Sequence, residues 1–286
     1  MRPVSLRYSA IDMSDSSTNR WLEGLHVETS ATLRIFAIPY AGASSYLYRG
    51  WHRQMPPGIQ LCPIQLPGRG KRTAEPPCLR MDELVGPMCE GLAPHLEQPF
   101  ALFGHSMGGL IAFALAHRLE TQFGLKSVAL IVAGCSPPHV KRNSVKLHEW
   151  SNDDLIEELR QRGGTPAEVL SCAPIMRVTL SLMRADFELI YNYQTDPAIQ
   201  LERPIYGFAG SEDVEDGPSS MHRWKEITTR GFTMSTIPGG HLFPFSASAA
   251  FMSEFRPLAA HLADQAWNNV PRRKSRLVTD AVVTSR

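Results

Sequence analysis

Short apolar segments recur along the middle of this chain, separated by longer segments with helical patterning. Nearly continuous hydrophobicity within each short segment is typical of strands buried on both faces of a parallel sheet. Consecutive parallel strands need a crossover connection, which is usually a helix. We therefore predict an α/β fold with a mostly parallel central sheet flanked by helices. The six predicted strands are residues 32–40, 59–66, 100–104, 128–134, 204–210 and 232–240.

The helical patterns fall between and after these strands. Outside residues 140–200, the predicted helices are residues 81–98, 107–122, 219–230 and 246–265. Residues 140–200 contain helical patterns but no convincing strand. An all-helical insertion of this length between two core strands predicts a lid over a site at their carboxyl ends. We expect the lid to be mobile, with Ala185 among its site-facing positions.

One serine lies in a five-residue pattern between the third predicted strand and the next helix. Gly104, Ser106 and Gly108 match G-x-S-x-G, the nucleophile elbow in which a strained turn exposes the serine hydroxyl. The helix N-terminus that follows offers free N–H groups to an anion. The pattern also recurs by chance in plain strand-to-helix turns, but its position here favours the elbow. We expect His105 to pack beneath the elbow rather than to transfer protons.

An acid and a histidine follow the last two predicted strands, which is the chain order of nucleophile, acid and base in the α/β-hydrolase fold. We predict that His241 takes the proton of Ser106 and later activates water. Asp213 would hold the imidazole in the required tautomer. Three other acids in the same loop remain alternatives to Asp213: Glu212, Glu215 and Asp216.

A serine acyl-enzyme mechanism also needs two donors for the oxyanion. The first expected donor is the backbone N–H of Met107, directly after the nucleophile. The second is expected in the small-residue loop after the first strand, residues 39–43. Within that loop we prefer Ala41 to Tyr40. The alternative is a plain strand-ending turn, which explains the glycine of the loop equally well.

Charge and cysteine content argue against several other classes of function. The net charge is +1, so the total charge favours neither nucleic acid nor an anionic membrane as a partner. The five cysteines have no C-x-x-C spacing, which predicts neither a disulfide framework nor a metal site. No apolar run approaches the roughly 20 residues of a spanning helix, and the N-terminus lacks the apolar segment of a secretion signal. We expect a cytoplasmic monomer without cofactor or metal.

Five stretches narrow the class of hydrolase. They are IPYAGASSYLYRGW (38–51), IQLPGRGKRTAEPP (64–77), FGHSMGG (103–109), MRADFELIYNY (183–193) and GGHLFPF (239–245). Together they resemble the type II thioesterases that accompany modular polyketide synthases and non-ribosomal peptide synthetases, over about residues 32–265. LPGRG with its following basic pair and E-P, and R-A-D-F, are not general features of α/β-hydrolases.

The resemblance implies a thioesterase that removes stalled or mis-primed acyl groups from the phosphopantetheine arm of carrier domains. It assigns the nucleophile, the acid and the base to Ser106, Asp213 and His241. Acyl or peptidyl carrier protein domains are then the expected partners. Their long, mostly neutral arm would pass through a narrow channel between the lid and the core.

Arg69, Lys71 and Arg72 form a local basic cluster near the end of the second predicted strand. Carrier domains are generally acidic, so we expect this cluster to attract one. Two alternatives remain open. These charges belong to a solvated loop, or the motif around them only shapes a turn.

The predicted organisation is a flexible lead over 1–30, a thioesterase domain over 31–265 with its lid at 140–200, and a disordered basic tail over 266–286. The lead and the tail are longer than the family usually shows, and the loop reads Y-A-G-A where a second glycine is common. Two rival functions remain: a carboxylesterase or acyl-CoA hydrolase of the same fold and, more remotely, a catalytically silent acyl-binding protein. An intact Ser, Asp and His set argues against the silent protein.

Overall fold

Six parallel strands form one sheet, in the order β2-β1-β3-β4-β5-β6. The computed structural model describes residues 19–22, 28, 30–140, 145–163 and 167–269. Each strand overlaps one of the predicted apolar segments, so the predicted parallel sheet is confirmed. The strands are β1 (Leu33–Ile38), β2 (Ile59–Pro63), β3 (Phe100–His105), β4 (Ala129–Ala133), β5 (Ile205–Gly210) and β6 (Phe232–Ile237).

Both faces of the sheet are covered, which is why its central strands are largely apolar. Along β3, Leu102 enters a core with the first two helices, whereas Ala101 and Phe103 enter a second core with the last helix. Successive strand side chains point to opposite faces. Because a core covers each face, every residue of β3 is buried. Strand β6 lies at the sheet edge and is only partly buried.

The helices of the described part flank the sheet or lie between β4 and β5. They are α1 (Met81–Leu92), α2 (Met107–Phe123), α3 (Asn152–Arg162), α4 (Ala167–Leu170), α5 (Ala173–Asn192), α6 (Pro218–Met221), α7 (Phe243–Ser246) and α8 (Ser248–Asn269). Two are shorter than predicted. The first ends at Leu92, before a 3-10 turn over Ala93–His95. Helix α6 gives way to a 3-10 segment over His222–Ile227.

Helices α3, α4 and α5 make up the insertion, and no strand occurs in its described residues. They share a small hydrophobic cluster in which Leu155 and Leu159 pack with Met183 of α5. We call these three helices the cap. Residues 141–144 and 164–166 of the predicted lid lie outside the described residues.

Residues 19–22 of the predicted lead pack against the core. The Trp21 side chain is 2% exposed, and the Arg72 guanidinium lies 4.2 Å from its ring centre. The backbone carbonyl oxygen of Trp21 accepts a hydrogen bond from the Gln65 N–H at 2.8 Å. Burial of an indole and this backbone bond attach the segment to the core. Of the rest of the lead, residues 1–18, 23–27 and 29 lie outside the described residues, as do residues 270–286 of the predicted tail.

Candidate active site

Ser106 occupies a strained turn between β3 and α2. Its φ of 54° is the single positive φ among the described non-glycine residues. A Cβ at Gly104 would lie 2.0 Å from the carbonyl oxygen of Gly108, and a Cβ at Gly108 would lie 2.2 Å from that of Ile38. Both positions therefore exclude any side chain. The serine hydroxyl is left accessible at the helix N-terminus.

Three side chains predicted from chain order meet at this turn. The His241 Nε2 atom is 2.9 Å from the Ser106 Oγ, and its Nδ1 atom is 2.8 Å from the Asp213 Oδ2. The second carboxylate oxygen of Asp213 accepts backbone N–H groups from Glu215 and Asp216 at 3.1 and 3.0 Å. Burial raises the pKa of Asp213, but these hydrogen bonds and the neighbouring imidazole outweigh it and hold the pKa below its usual value.

The alternative acids in the loop are placed differently. Glu212 is exposed to solvent, and the Glu215 carboxylate accepts a hydrogen bond from Arg162 at 2.9 Å. Asp216 accepts a backbone N–H from the loop after β4 at 2.7 Å. Geometry therefore favours Asp213 as the partner of the histidine.

His105 is buried beneath the elbow, where we expected it. Its Nε2 atom lies 2.8 Å from the backbone carbonyl oxygen of His241. Burial, together with the nearby His241 side chain, lowers the pKa of His105 from 6.5 to about 3. The ring is therefore neutral at physiological pH and donates its Nε2–H to that carbonyl. The sequence analysis missed this contact, because nothing local links residues so far apart.

The two expected oxyanion donors belong to the residue after the serine and to the loop after β1. Met107 is the first residue of α2, where backbone N–H groups have no acceptor within the helix. In the loop after β1, the Gly42 N–H donates to the Asp186 carboxylate at 2.7 Å, and the Ala43 N–H donates within the loop. Those two donors are engaged, and Ala41 lines the cavity beside Ser106.

A cavity of about 240 Å³ separates the cap from Ser106 and His241. On the cap side, the wall of this cavity is formed by Leu159, Arg162, Thr179, Met183 and Phe187, together with Gly163 directly after α3. Thr179, Met183 and Phe187 are spaced four residues apart and share one face of α5. Ala185 is buried but lies between two of them, on another face. The prediction that Ala185 faces the site is wrong.

Residues 33–258 match the family model described as Thioesterase domain. The chain belongs to the thioesterase family. It is 36% identical over 232 residues to the gramicidin S biosynthesis protein GrsT of Aneurinibacillus migulanus, covering 81% of this chain and 91% of GrsT. This confirms the family resemblance that its motifs indicated.

Solved structures agree with this assignment of the thioesterase. The type II thioesterase BorB from the borrelidin biosynthetic cluster superposes with a TM-score of 0.74 at 32% identity, covering 82% of this chain and 94% of BorB. RedJ, a thioesterase from the prodiginine biosynthetic pathway in Streptomyces coelicolor, gives a TM-score of 0.72 at 30% identity, covering 82% and 91%. The thioesterase is thus a serine hydrolase of the α/β-hydrolase fold with an all-helical insertion.

The basic cluster expected to attract a partner is not a patch on the surface of the thioesterase. Arg69 and Arg72 are each 6% exposed. Arg72 pairs with Glu75 at 2.6 Å, and Arg69 forms an ion pair with Asp186 of the cap. Of the three cations in the cluster, Lys71 alone is exposed.

No feature of the described part indicates a metal or a membrane span. No group of three or more His, Cys, Asp or Glu residues is arranged there to hold a metal ion. All five cysteines are free thiols. None of the described helices combines the length and the hydropathy that crossing a bilayer requires.

Proposed function

We propose that this thioesterase hydrolyses acyl groups from the phosphopantetheine arm of carrier domains in polyketide or non-ribosomal peptide synthesis. Ser106 is the nucleophile, His241 the general base and Asp213 the acid that orients it. The observation that carries the proposal is the continuous hydrogen-bonded series from Asp213 through His241 to Ser106, beside a cavity lined by the cap. The biosynthetic roles in the names of GrsT and BorB support the carrier domain as the partner.

Acylation begins at the Ser106 Oγ. This oxygen attacks the thioester carbonyl carbon, and its proton moves to the His241 Nε2. The carbonyl electron pair moves onto oxygen and gives a tetrahedral oxyanion. When the oxyanion collapses, the C–S bond breaks, and the pantetheine sulfur leaves with the proton held by His241. The products are a free thiol on the carrier arm and an acyl-enzyme.

Deacylation repeats the same steps with water. His241 removes a proton from a water molecule, whose oxygen attacks the ester carbon of the acyl-enzyme. Collapse of the second oxyanion breaks the bond to the Ser106 Oγ and returns the proton to it. Asp213 stabilises the imidazolium in both halves of the reaction, because its carboxylate is ionised and in contact with Nδ1.

Both oxyanions need donors that are in place before charge develops. The backbone N–H groups of Met107 and Ala41 are the two that we propose. Met107 adds the partial positive charge of the α2 N-terminus. Ala41 contributes a second N–H to the same oxyanion from the loop after β1.

The cap is proposed to act as a mobile lid that selects the acyl group. Its wall of the cavity is formed largely by apolar side chains, among them Leu159, Met183 and Phe187, which suits an acyl chain. The acyl group would lie against this wall, and the pantetheine arm would enter between the cap and the core. We further propose that the protein acts as a monomer in the cytoplasm.

The test is a substrate panel with one acyl group on three carriers: a holo acyl carrier domain, coenzyme A and a simple alcohol as its ester. We expect the highest kcat/KM for the carrier domain and no measurable turnover by Ser106→Ala. Equal or higher rates on the free ester would favour the carboxylesterase alternative. A preference for coenzyme A over the carrier domain would favour an acyl-CoA hydrolase.

A further inference from the structure

Two sequence motifs without a role in the proposed mechanism meet at one buried ion pair. Arg69 belongs to LPGRG, and Asp186 belongs to R-A-D-F of the cap, 117 positions away. The guanidinium donates to both carboxylate oxygens, at 2.8 and 2.7 Å. The two side chains are 5% and 3% exposed, so the pair is shielded from solvent and has fixed geometry.

The ion pair holds the loop that carries the proposed second oxyanion donor. The Asp186 Oδ2 accepts the Gly42 N–H at 2.7 Å. Arg69 donates to the carbonyl oxygen of Ala43 at 3.2 Å. The Gly42 N–H belongs to the peptide group that begins at the Ala41 carbonyl, so its bond to Asp186 sets the plane of that peptide. The backbone on both sides of Gly42 is therefore attached to this pair.

The core side of the pair is held independently of the cap. The Arg69 carbonyl oxygen accepts a hydrogen bond from the Gln65 Nε2 at 2.7 Å, and its Nε donates to the Pro67 carbonyl oxygen at 3.2 Å. Asp186, in contrast, lies on α5 of the cap. The carboxylate reaches the loop only when α5 lies against the core in this position.

A second contact joins the same loop to the same helix. Gly42 has a φ of +80°, and a Cβ there would lie 2.2 Å from the Met183 sulfur. Met183 is one turn of α5 before Asp186 and also lines the cavity. The loop thus contacts α5 at two successive turns: its Gly42 backbone packs against Met183 on the first, and the Gly42 N–H donates to Asp186 on the second.

Stability alone does not account for such a pair. Well-packed apolar residues of similar volume commonly stabilise a protein as well as a buried ion pair does, because the two charges lose their hydration. What a bidentate arginine–carboxylate pair supplies is geometry, since two parallel hydrogen bonds set both distance and plane. Here that geometry is transmitted to the Gly42 peptide.

We infer that Arg69 and Asp186 are positioning residues that couple the seating of the cap to the oxyanion site. When α5 is seated, Asp186 orients the Gly42 peptide and the Ala41 N–H faces the acyl oxygen. When α5 moves away, the loop loses that orientation and the second donor is misplaced. The inference rests on the proposed function, because the oxyanion role of Ala41 belongs to it.

The decisive variant removes both charges together, as Arg69→Met with Asp186→Leu. No charge is then left buried and unpaired, so thermal stability is expected to stay near that of the wild type. The kcat for an acyl carrier substrate should fall about 100-fold with little change in KM, as when one oxyanion donor is lost. Hydrogen exchange at residues 40–43 should become faster. Arg69→Lys keeps the charge but loses the planar fork, and is expected to lower kcat as well.

A matched control comes from a buried pair outside the site. Arg203 lies 2.7 Å from Glu120 on α2, with side chains 2% and 14% exposed. Arg203→Met with Glu120→Leu is expected to leave kcat unchanged. A folded Arg69→Met, Asp186→Leu protein with wild-type kcat and wild-type exchange at residues 40–43 would overturn the inference.

A replacement variant covers a failure to fold, and two outcomes separate the inference from the proposed function. Should the double variant fail to fold, Asp186→Asn provides the same comparison of kcat with exchange at residues 40–43, and unchanged values of both overturn the inference. A Ser106→Ala protein with wild-type turnover would overturn the proposed function, and the oxyanion role with it. An inactive Ser106→Ala protein beside a fully active double variant overturns the inference alone.

Discussion

The Nε2 atom of His105 lies 2.8 Å from the backbone carbonyl oxygen of His241. Two histidines are thus joined, one fully buried and neutral and the other in contact with the proposed nucleophile, Ser106. The hydrogen bond holds the His241 backbone in place through a group that carries no charge at physiological pH. Because burial lowers the pKa of His105, this histidine makes the free energy of unfolding depend on pH.

Replacing His105 with glutamine should flatten the loss of stability in mild acid. The pKa of His105 is lowered from 6.5 to about 3, so between these values the unfolded chain binds a proton that the native ring does not. The contribution of the neutral His105 to the free energy of unfolding is therefore fully present above about pH 6.5 and is lost as the pH falls toward 3. The free energy of unfolding should fall by up to about 1.4 kcal/mol per pH unit more in the wild type than in His105→Gln. Urea unfolding across this range measures the difference, and parallel curves would contradict the prediction.

Ser106→Ala should lose covalent labelling together with turnover. Ser106 carries the proposed nucleophilic oxygen, 2.9 Å from its base. Intact-mass spectra after treatment with a fluorophosphonate should show one adduct on the wild type and none on this variant. Turnover should fall by several orders of magnitude, because the members of a triad act as a unit. An undiminished adduct on Ser106→Ala would show that another residue reacts.

Asp213→Asn should keep its fold and lose activity by about 10⁴ in kcat, the size of effect expected when the imidazole is held in the wrong tautomer. The carboxylate oxygen at the His241 Nδ1 becomes either an amide donor or an amide oxygen without charge. Glu212→Gln is the matched control, because that side chain is exposed in the same loop. Circular dichroism checks the fold. If Glu212→Gln lost kcat and Asp213→Asn kept it, the acid would be Glu212.

Phe187→Ala should change which acyl chains are preferred. Phe187 lines the cavity from α5, so its truncation lengthens the space for an acyl chain. The ratio of kcat/KM for long against short acyl groups should rise by about tenfold, since a methylene in an apolar pocket is worth about 1–3 kcal/mol. Fluorophosphonate reactivity of Ser106 should stay the same. Val178→Ala is the control, since that side chain is 65% exposed on the same helix, and equal ratios in all three proteins would place acyl selection outside the cap.

The sequence by itself determined the sheet and the positions of the three side chains that meet at the elbow. Continuous apolarity marks a strand with two covered faces, so the segment around Phe103 could be recognised locally. The elbow glycines are also a local requirement. The chain order then predicted that Ser106, Asp213 and His241 follow strands whose carboxyl ends lie at one edge of the sheet. Parallel strands bring such residues together wherever the intervening segments go.

Tertiary structure alone decided the contacts between segments that are distant in sequence. Arg69 was expected on the surface because arginine is rarely buried without a partner, and that partner is Asp186 on a helix 117 positions away. Likewise, Ala185 was expected to face the site, but the rotation of α5 against the core gives that face to Met183 and Phe187. Periodicity predicts that a helix has an apolar face. What lies opposite that face depends on how the cap packs, and the sequence pattern carries no information about that packing.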